Sequence, residues 1–350
     1  MDIVDIPVVL PEKPVRLLDQ LRHFIRSRGM AYKTEQTYVR WTLRFIRFHK
    51  KRHPKEMGSR EVEAFLSHLA INRNCAVNTQ KTALNALVFL YREFLQQPLE
   101  NLEVIKAKRR QNIPEIFSHK EAIQVIDFLQ PPYNLMANMM YGSGLRISES
   151  IRLRVQDINF SMGYILVRNG KGGKDRRTLL PESCLEPLQK QIIYVENLLK
   201  LDRDNGIGGV YMPGALQRKF PKASTELGWQ FLFPSANPST DPRSGIERRH
   251  HIMDRTLQRR VRTAVKQAGI VRRCSSHTFR HSFATRLLEN GYDIRTVQDL
   301  LGHKSVETTM IYTHVLNRGP QAVLSPLDAA PTGLPTDLKE AGLPYHVLPL

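Results

Sequence analysis

The chain has 350 residues, enough for two ordinary domains with cores of their own. Apolar residues make up 41% and charged residues 24%, which excludes a disordered polyelectrolyte, and no apolar run is long enough to span a bilayer. Lysine and arginine number 52 against 33 acids, a net charge of +19; a small domain needs only roughly 2–8 for solubility, so the excess points to a polyanion, nucleic acid rather than a membrane surface.

The opening MDIVDIPVVLPEKP has two acids and no basic stretch ahead of its apolar run, which argues against a secretion signal. Three scattered cysteines (Cys75, Cys184, Cys274) make neither a disulfide framework nor a zinc pair, and a reducing cytoplasm is expected. After this leader, residues 1–14, a helical DNA-binding unit is expected over residues 15–104. In TEQTYVRWTLRFIRFHKKRH the residues Tyr38, Trp41, Phe45 and Phe48 recur at helical spacing, with Thr34 as N-cap. Arg40, Arg44 and Arg47 line a different face. Such a row is ordinarily a solvated surface, but in a chain this basic it is read as a contact to the DNA backbone. NTQKTALNALVFLYREFL repeats the apolar pattern with Leu84, Leu87, Val88, Tyr91 and Leu95.

A linker is expected at residues 105–115, where Lys106, Lys108, Arg109 and Arg110 crowd ahead of a proline. Lys108 and Arg109 are candidate DNA contacts, and a basic linker between two domains suits a clamp closing round a duplex. Ser118 and Glu121 then form a capping box that opens the second domain, residues 116–318. Within it GYILVRNGKGGKDRRTLLP reads as a hairpin, with Lys171 and Lys174 in or beside its glycine turn. Residues from about 200 to 250 are irregular and rich in Gly, Pro and Ser. Helices follow to about Tyr312, and residues 319–350 read as a tail. The expected fold class is mainly α, with a small antiparallel β-sheet in the second domain.

The chemistry gathers in HTFRHSFATRLLENG, which begins at His277. His277 and His281 stand four apart, as zinc ligands do on a helix. A zinc hydrolase, however, needs H-E-x-x-H, and the middle places here are Thr278, Phe279 and Arg280, so no metal is expected. His277 and Arg280 share one helix face, while Phe279, Phe283 and Leu287 make an apolar stripe that anchors the helix. A guanidinium can fork onto two oxygens of an anion while an imidazole manages a proton. Further on, LLGHKSVETTMIYTH places Gly302 at a helix end, His303 just past it, Ser305 as the next cap and Tyr312 near the end of the helix that follows. Earlier, YGSGLRISES sets Arg146 at the start of a helix. Each of these residues alone is ordinary; their order and contexts together are not.

Arg146 in GLRISE, Lys171 in GKGGKDR, HTFRH, LLGH and the final YTH resemble the signature of the tyrosine site-specific recombinases, the phage integrase family, over about residues 15–315. The resemblance implies a helical, SAM-like core-binding domain and a mixed α/β catalytic domain closing as a two-domain, C-shaped clamp on DNA. It implies no cofactor, and a homo-oligomer that works as a tetramer on synapsed DNA. Tyr312 would attack phosphorus, leaving a 3′-phosphotyrosine and a free 5′-hydroxyl. Arg146 and Arg280 would hold the non-bridging oxygens, with His303 hydrogen-bonding the same phosphate. His277 is the candidate proton acceptor, Lys171 the acid for the leaving oxygen, and Glu149 a group that orients the site. Ionising a phenol of pKa near 10 at pH 7 costs about 4 kcal/mol, so neighbouring cations must offset part of it.

The extra residues ALQRKFPKASTELGWQFLFPS and STDPRSGIERRHH are similar to the insertion of integron integrases. Those enzymes move gene cassettes between a double-stranded attI site and attC sites folded as single-strand hairpins. On that resemblance Trp229, Pro242, His250 and His251 are expected to cradle extruded bases, the alternative being that Trp229 fills the core of the insertion. A bacterial, nucleoid-associated enzyme with no membrane partner is implied. A type IB topoisomerase-like enzyme and a non-catalytic DNA-binding protein are the competing readings.

Overall fold

The computed structural model describes residues 9–100, 114–168, 175–212, 214–241 and 244–312. Lys108, Arg109, Lys171, Lys174 and Pro242 lie outside the described residues, as do most of the expected linker, the start of the leader and the tail.

Four helices make the first unit: α1 (Leu17–Ser27), α2 (Tyr32–Phe48), α3 (Ser59–Ser67) and α4 (Val77–Phe89), the last continued by one π turn over Leu90–Phe94. The expected spacing holds where it matters: Trp41 and Phe45 are buried with Leu21, Ile25 and Leu87, while Phe48, at the end of the row, stays exposed. Tyr91 is buried with them, its hydroxyl donating to the Pro54 carbonyl at 3.0 Å so that it keeps a partner out of water. Thr34 is not the cap of α2. Gly29, at φ 65°, turns the chain early, Ala31 stands at the N-cap, and Thr34 lies in the first turn with its N–H donating to Ala31 O at 2.8 Å. The Arg26 guanidinium forks onto buried Glu35 (2.8 and 3.0 Å) and ties α1 to α2.

The second unit begins at α5 (His119–Asp127), opened by the expected capping box: Ser118 N donates to Glu121 Oε2 at 2.8 Å and Glu121 N to Ser118 Oγ at 3.3 Å. Then come α6 (Tyr133–Ser143) and the single-turn α7 (Ile147–Ser150). A three-stranded antiparallel sheet follows in the order β1 (Ile158–Asn159), β2 (Tyr164–Val167), β3 (Arg176–Leu179), with Val167 opposite Arg176. After it α8 (Leu185–Asp204) runs as a long helix into the stretch expected to be irregular. The remainder of that stretch holds α9 (Gly214–Lys219), two 3₁₀ turns and the two-residue pair β4 (Ser239–Thr240) and β5 (Glu247–Arg248).

The last helices are α10 (Asp254–Gln267), α11 (Ser276–Glu289), α12 (Ile294–Leu301) and α13 (Glu307–Met310). α11 packs along α6, with Phe279 fully buried against Phe117, ring centroids 5.1 Å apart. Two glycines set the geometry of the site. Gly144 ends α6 at φ 64°, and a Cβ there would lie 2.5 Å from the Phe283 ring; Gly302 ends α12 at φ 63°, and a Cβ there would lie 2.7 Å from Arg176 Cδ. Ser305 is not the N-cap of α13, which is Val306, yet its Oγ still accepts from Glu307 N at 3.2 Å. The fold is thus mostly helical with a small antiparallel sheet; its described residues form one apolar cluster from Leu21 to Tyr91, a larger one from Phe117 to Phe279, and two small ones round Phe283 and Phe231. Among the described residues no helix is long and apolar enough to cross a membrane.

Candidate active site

Glu149 is the hub. Its carboxylate accepts from Arg146 N (2.8 Å) and Arg146 Nη1 (2.7 Å), and from both terminal nitrogens of Arg176 (2.9 and 2.7 Å), while Arg280 Nη1 stands 3.8 Å away. Burial raises its pKa, but the Arg176 hydrogen bonds and charge, with those of Arg146, outweigh it and hold the carboxyl at about 2. Glu149 is therefore ionised at neutral pH and suited to orienting arginines rather than moving protons. Three guanidiniums against one carboxylate leave a surplus of two positive charges (3 − 1) in a largely buried place.

Arg280 points from the buried side of α11 and is 4% exposed. Its Nη1 donates to the Gly144 carbonyl, and its Nη2 to Leu301 O at 2.6 Å and His303 Nε2 at 3.0 Å. Both glycine-terminated helices thus end on this one side chain. Burial first, then the charge of Arg146, push its pKa down to about 9, so it stays charged at pH 7 in surroundings that favour an added anion. Accepting from Arg280 at Nε2 leaves His303 to carry its proton on Nδ1, which faces Thr309 Oγ1 at 2.9 Å; the tautomer follows from these partners.

Tyr312, 2% exposed, is packed by Phe283, Ala284, Val297 and Leu301. Its ring stacks on that of His303 at 6.3 Å, and its hydroxyl lies 3.0 Å from His281 Nδ1. Burial raises the phenol pKa, and Arg280 and Arg146 pull it back in part. His277, expected to be the partner of the hydroxyl, stands one turn earlier on α11 with its residue exposed to solvent. Crowding by the chain, then Arg280 and Arg146, hold its pKa below the ordinary imidazole value. The structure thus brings together Arg146, Glu149, Arg280, His303 and Tyr312, and gives the hydroxyl to His281 instead of His277.

Two members escaped the sequence. Arg176 was hidden in the basic run GKGGKDRR, where nothing separates the one arginine aimed inward from β3 from its neighbours. His281 was visible at i+4 from His277 but was set aside with the zinc reading. Among the described residues no group of three or more His, Cys, Asp or Glu side chains is placed to hold a metal ion.

Elsewhere Arg40, Arg44 and Arg47 are exposed on α2 as expected, with the Arg44 guanidinium 4.9 Å over the Trp41 ring. The insertion departs from expectation. Trp229 is partly buried against Val210, Met212, Ala223 and Phe231, its carbonyl accepts from Arg154 Nη1, and the Arg154 guanidinium lies 5.6 Å over its ring. Arg154 is largely buried and needs both carbonyls and π faces, so Trp229 has the contacts of a packing residue. His251 is 7% exposed, its Nδ1 donating to Ile252 O at 2.8 Å, and His250 lies against it at 4.1 Å and against Phe231 at 5.1 Å. Both histidines line a cavity of about 690 Å³ shared with Tyr32 and Lys33 of α2; Trp229 does not.

Fold and site together describe a mostly helical protein with a cluster of arginines in excess of carboxylate beside a tyrosine. The model of the phage integrase family matches residues 111–318, and that of the phage integrase N-terminal SAM-like domain residues 17–101. An integrase/recombinase of Escherichia coli is 49% identical over 322 residues, covering 92% of this chain and 96% of its own. Tyrosine recombinase XerA of Pyrococcus furiosus is 27% identical over 314 residues, 87% of this chain and 92% of its own. The fold is shared with the crystal structure of XerH site-specific recombinase bound to palindromic difH substrate, at a TM-score of 0.58 and 21% identity, covering 85% of this chain and 81% of that one. The chain belongs to the phage integrase family: it is a tyrosine recombinase, an enzyme that breaks and rejoins DNA strands.

Proposed function

We propose that Tyr312 is the nucleophile of this recombinase, and that Arg146 and Arg280 hold the non-bridging oxygens of the scissile phosphate. The observation that carries this reading is the surplus of two positive charges round Glu149, with Tyr312 stacked on His303 at its edge. A phosphodiester is an anion that repels nucleophiles, so its transfer is mostly positioning and charge stabilisation. Arg280 is already oriented by Leu301 O and His303, so little reorganisation is needed when charge builds on phosphorus. Arg176 supports the site by fixing Glu149 from the sheet side. In this reading His303 hydrogen-bonds the phosphate, His277 takes the phenol proton once DNA is bound, and Lys171 protonates the 5′-oxygen that leaves. The 3′-phosphotyrosine keeps the bond energy, so a 5′-hydroxyl from a partner strand completes strand exchange without ATP. A DNA substrate nicked beside the cleavage point, so that the 5′-hydroxyl fragment diffuses away, should accumulate a covalent complex with the wild-type enzyme and none with Tyr312→Phe.

The substrate pair we assign is a double-stranded attI site and a hairpin-folded attC site, with the enzyme assembling as a tetramer on the synapsed DNA. Support comes from the resemblance of the 200–250 segment to the integron insertion. His250 and His251 are among the side chains lining the cavity beside α2, the place we assign to an extruded base. The DNA backbone would run along Arg40, Arg44 and Arg47, with Lys108, Arg109 and Lys174 as further contacts. Recombination in bacterial cells between one attI and one attC site should yield a joined product. A product from two duplex sites alone, with attC inert, would leave a recombinase of a different substrate class.

A further inference from the structure

We propose that His281 is a positioning residue that parks the nucleophile: in the DNA-free enzyme its Nδ1 accepts the Tyr312 hydroxyl and keeps it from any phosphodiester until DNA binding breaks that bond. The inference rests on the assignment of Tyr312 as nucleophile. The bond is 3.0 Å long, and Tyr312 is 2% exposed with its ring enclosed by Phe283, Ala284, Val297 and Leu301. A hydroxyl so enclosed cannot meet phosphorus on a DNA strand without the side chain moving. Arg280 beside it is likewise held by the protein's own acceptors, Gly144 O, Leu301 O and His303. Tyr312 lies past the end of α13 (Glu307–Met310), outside any helix, so its side chain can move without unwinding one.

His281 as general base is the competing role, and magnitudes decide against it. Burial, then His277 and Arg280, push the imidazole to about 4, while the phenol lies above its ordinary 10. Passing the proton from that phenol to that imidazole would be strongly uphill. The same low value keeps the ring neutral at pH 7, hence an acceptor and a holder. The hydroxyl donates, Nδ1 accepts, and no proton is transferred.

The test uses the full-length enzyme with 3-fluorotyrosine in place of Tyr312, read by fluorine NMR with a soluble paramagnetic agent, beside single-turnover cleavage of a nicked duplex. His281→Phe keeps a ring but removes the acceptor; His281→Asn keeps an acceptor near the Nδ1 position; His281→Leu serves should the Phe variant not fold. Parking predicts that the Phe variant exposes the fluorine to the agent and cleaves roughly 2- to 10-fold faster, the range expected for losing one net hydrogen bond in the ground state. The Asn variant should return both readouts to near wild type. A folded Phe variant whose fluorine stays shielded overturns the proposal, and so does one that loses cleavage instead of gaining it. The fluorine readout does not depend on chemistry. An adduct formed by Tyr312→Phe would therefore refute the nucleophile without bearing on the His281–Tyr312 bond.

Discussion

The cluster round Glu149 and the insertion after α8 are both built from arginines, and they use them in opposite ways. Round Glu149 three guanidiniums share one carboxylate. In the insertion the half-buried arginines each have a carboxylate of their own: Arg249 forks onto Asp202 (2.6 Å to each oxygen) and Arg248 stands 3.7 Å from Asp241, while Arg154, from the chain before β1, is met by the Trp229 and Tyr211 carbonyls. The first arrangement leaves positive charge waiting for an anion. The second fastens an irregular segment to α8 and to the chain before β1. An arginine's use is set by whether carboxylates around it match its charge, which a count of basic residues does not reveal.

Removing the single carboxylate of the first region should cost most. Glu149→Gln leaves three guanidiniums with no counter-charge, and a loss of about 3–5 kcal/mol is expected in chemical denaturation. The sign with pH follows from the depressed pKa. The carboxylate's contribution is complete above its ordinary value of 4.5 and is lost as pH falls through about 2. Wild-type stability should therefore fall across that window, and the variant should lack that part of the slope. Inorganic phosphate should narrow the stability gap at pH 7 by supplying the missing negative charge.

Next in size, Arg280→Ala and Arg146→Ala should each slow single-turnover cleavage at least about a hundredfold, the usual loss for one donor to a developing oxyanion. EDTA should leave the wild-type rate unchanged; a strict need for a divalent ion would contradict that expectation. In the second region, Asp202→Asn should cost about 3 kcal/mol or less, because Arg249 keeps its bonds to the Ser235 and Ala236 carbonyls, and cleavage of a duplex site should be unaffected. Equal damage to cleavage would erase the contrast between the regions. The smallest effect is expected of Trp229→Ala. As a half-buried packing residue it should lose roughly 2 kcal/mol of stability, and hairpin and duplex DNA should weaken together in band-shift titrations. Selective loss of the hairpin in a variant that melts like wild type would restore base stacking.

Much of the first region was legible because its residues sit at signals that local physics dictates. Gly302 marks a helix end and YGSG precedes a helix start, so His303 and Arg146 could be placed beside them, and the stripe Phe279, Phe283 fixed which side of α11 faces inward. The α2 spacing placed Trp41 and Phe45 in a core for the same reason. What escaped depends on long-range approach: Arg176 reaches Glu149 from 27 residues away and His281 meets Tyr312 across 31. Neither spacing has a periodicity to betray it. The packing contacts of Trp229 were out of reach for a related cause, since its partner Arg154 lies 75 residues earlier. Thr34 failed more simply, because a cap is decided by where the preceding turn ends.

The central claim is that the surplus charge round Glu149 receives a phosphodiester and Tyr312 attacks it. The most direct measurement is to trap wild-type enzyme on a nicked duplex, digest the complex, and map the DNA-linked peptide by mass spectrometry. The account predicts one peptide, carrying Tyr312 esterified to a 3′-phosphate, and no linked peptide from Tyr312→Phe. A DNA-linked peptide without Tyr312, or a wild-type yield of adduct from the Phe variant, would contradict it.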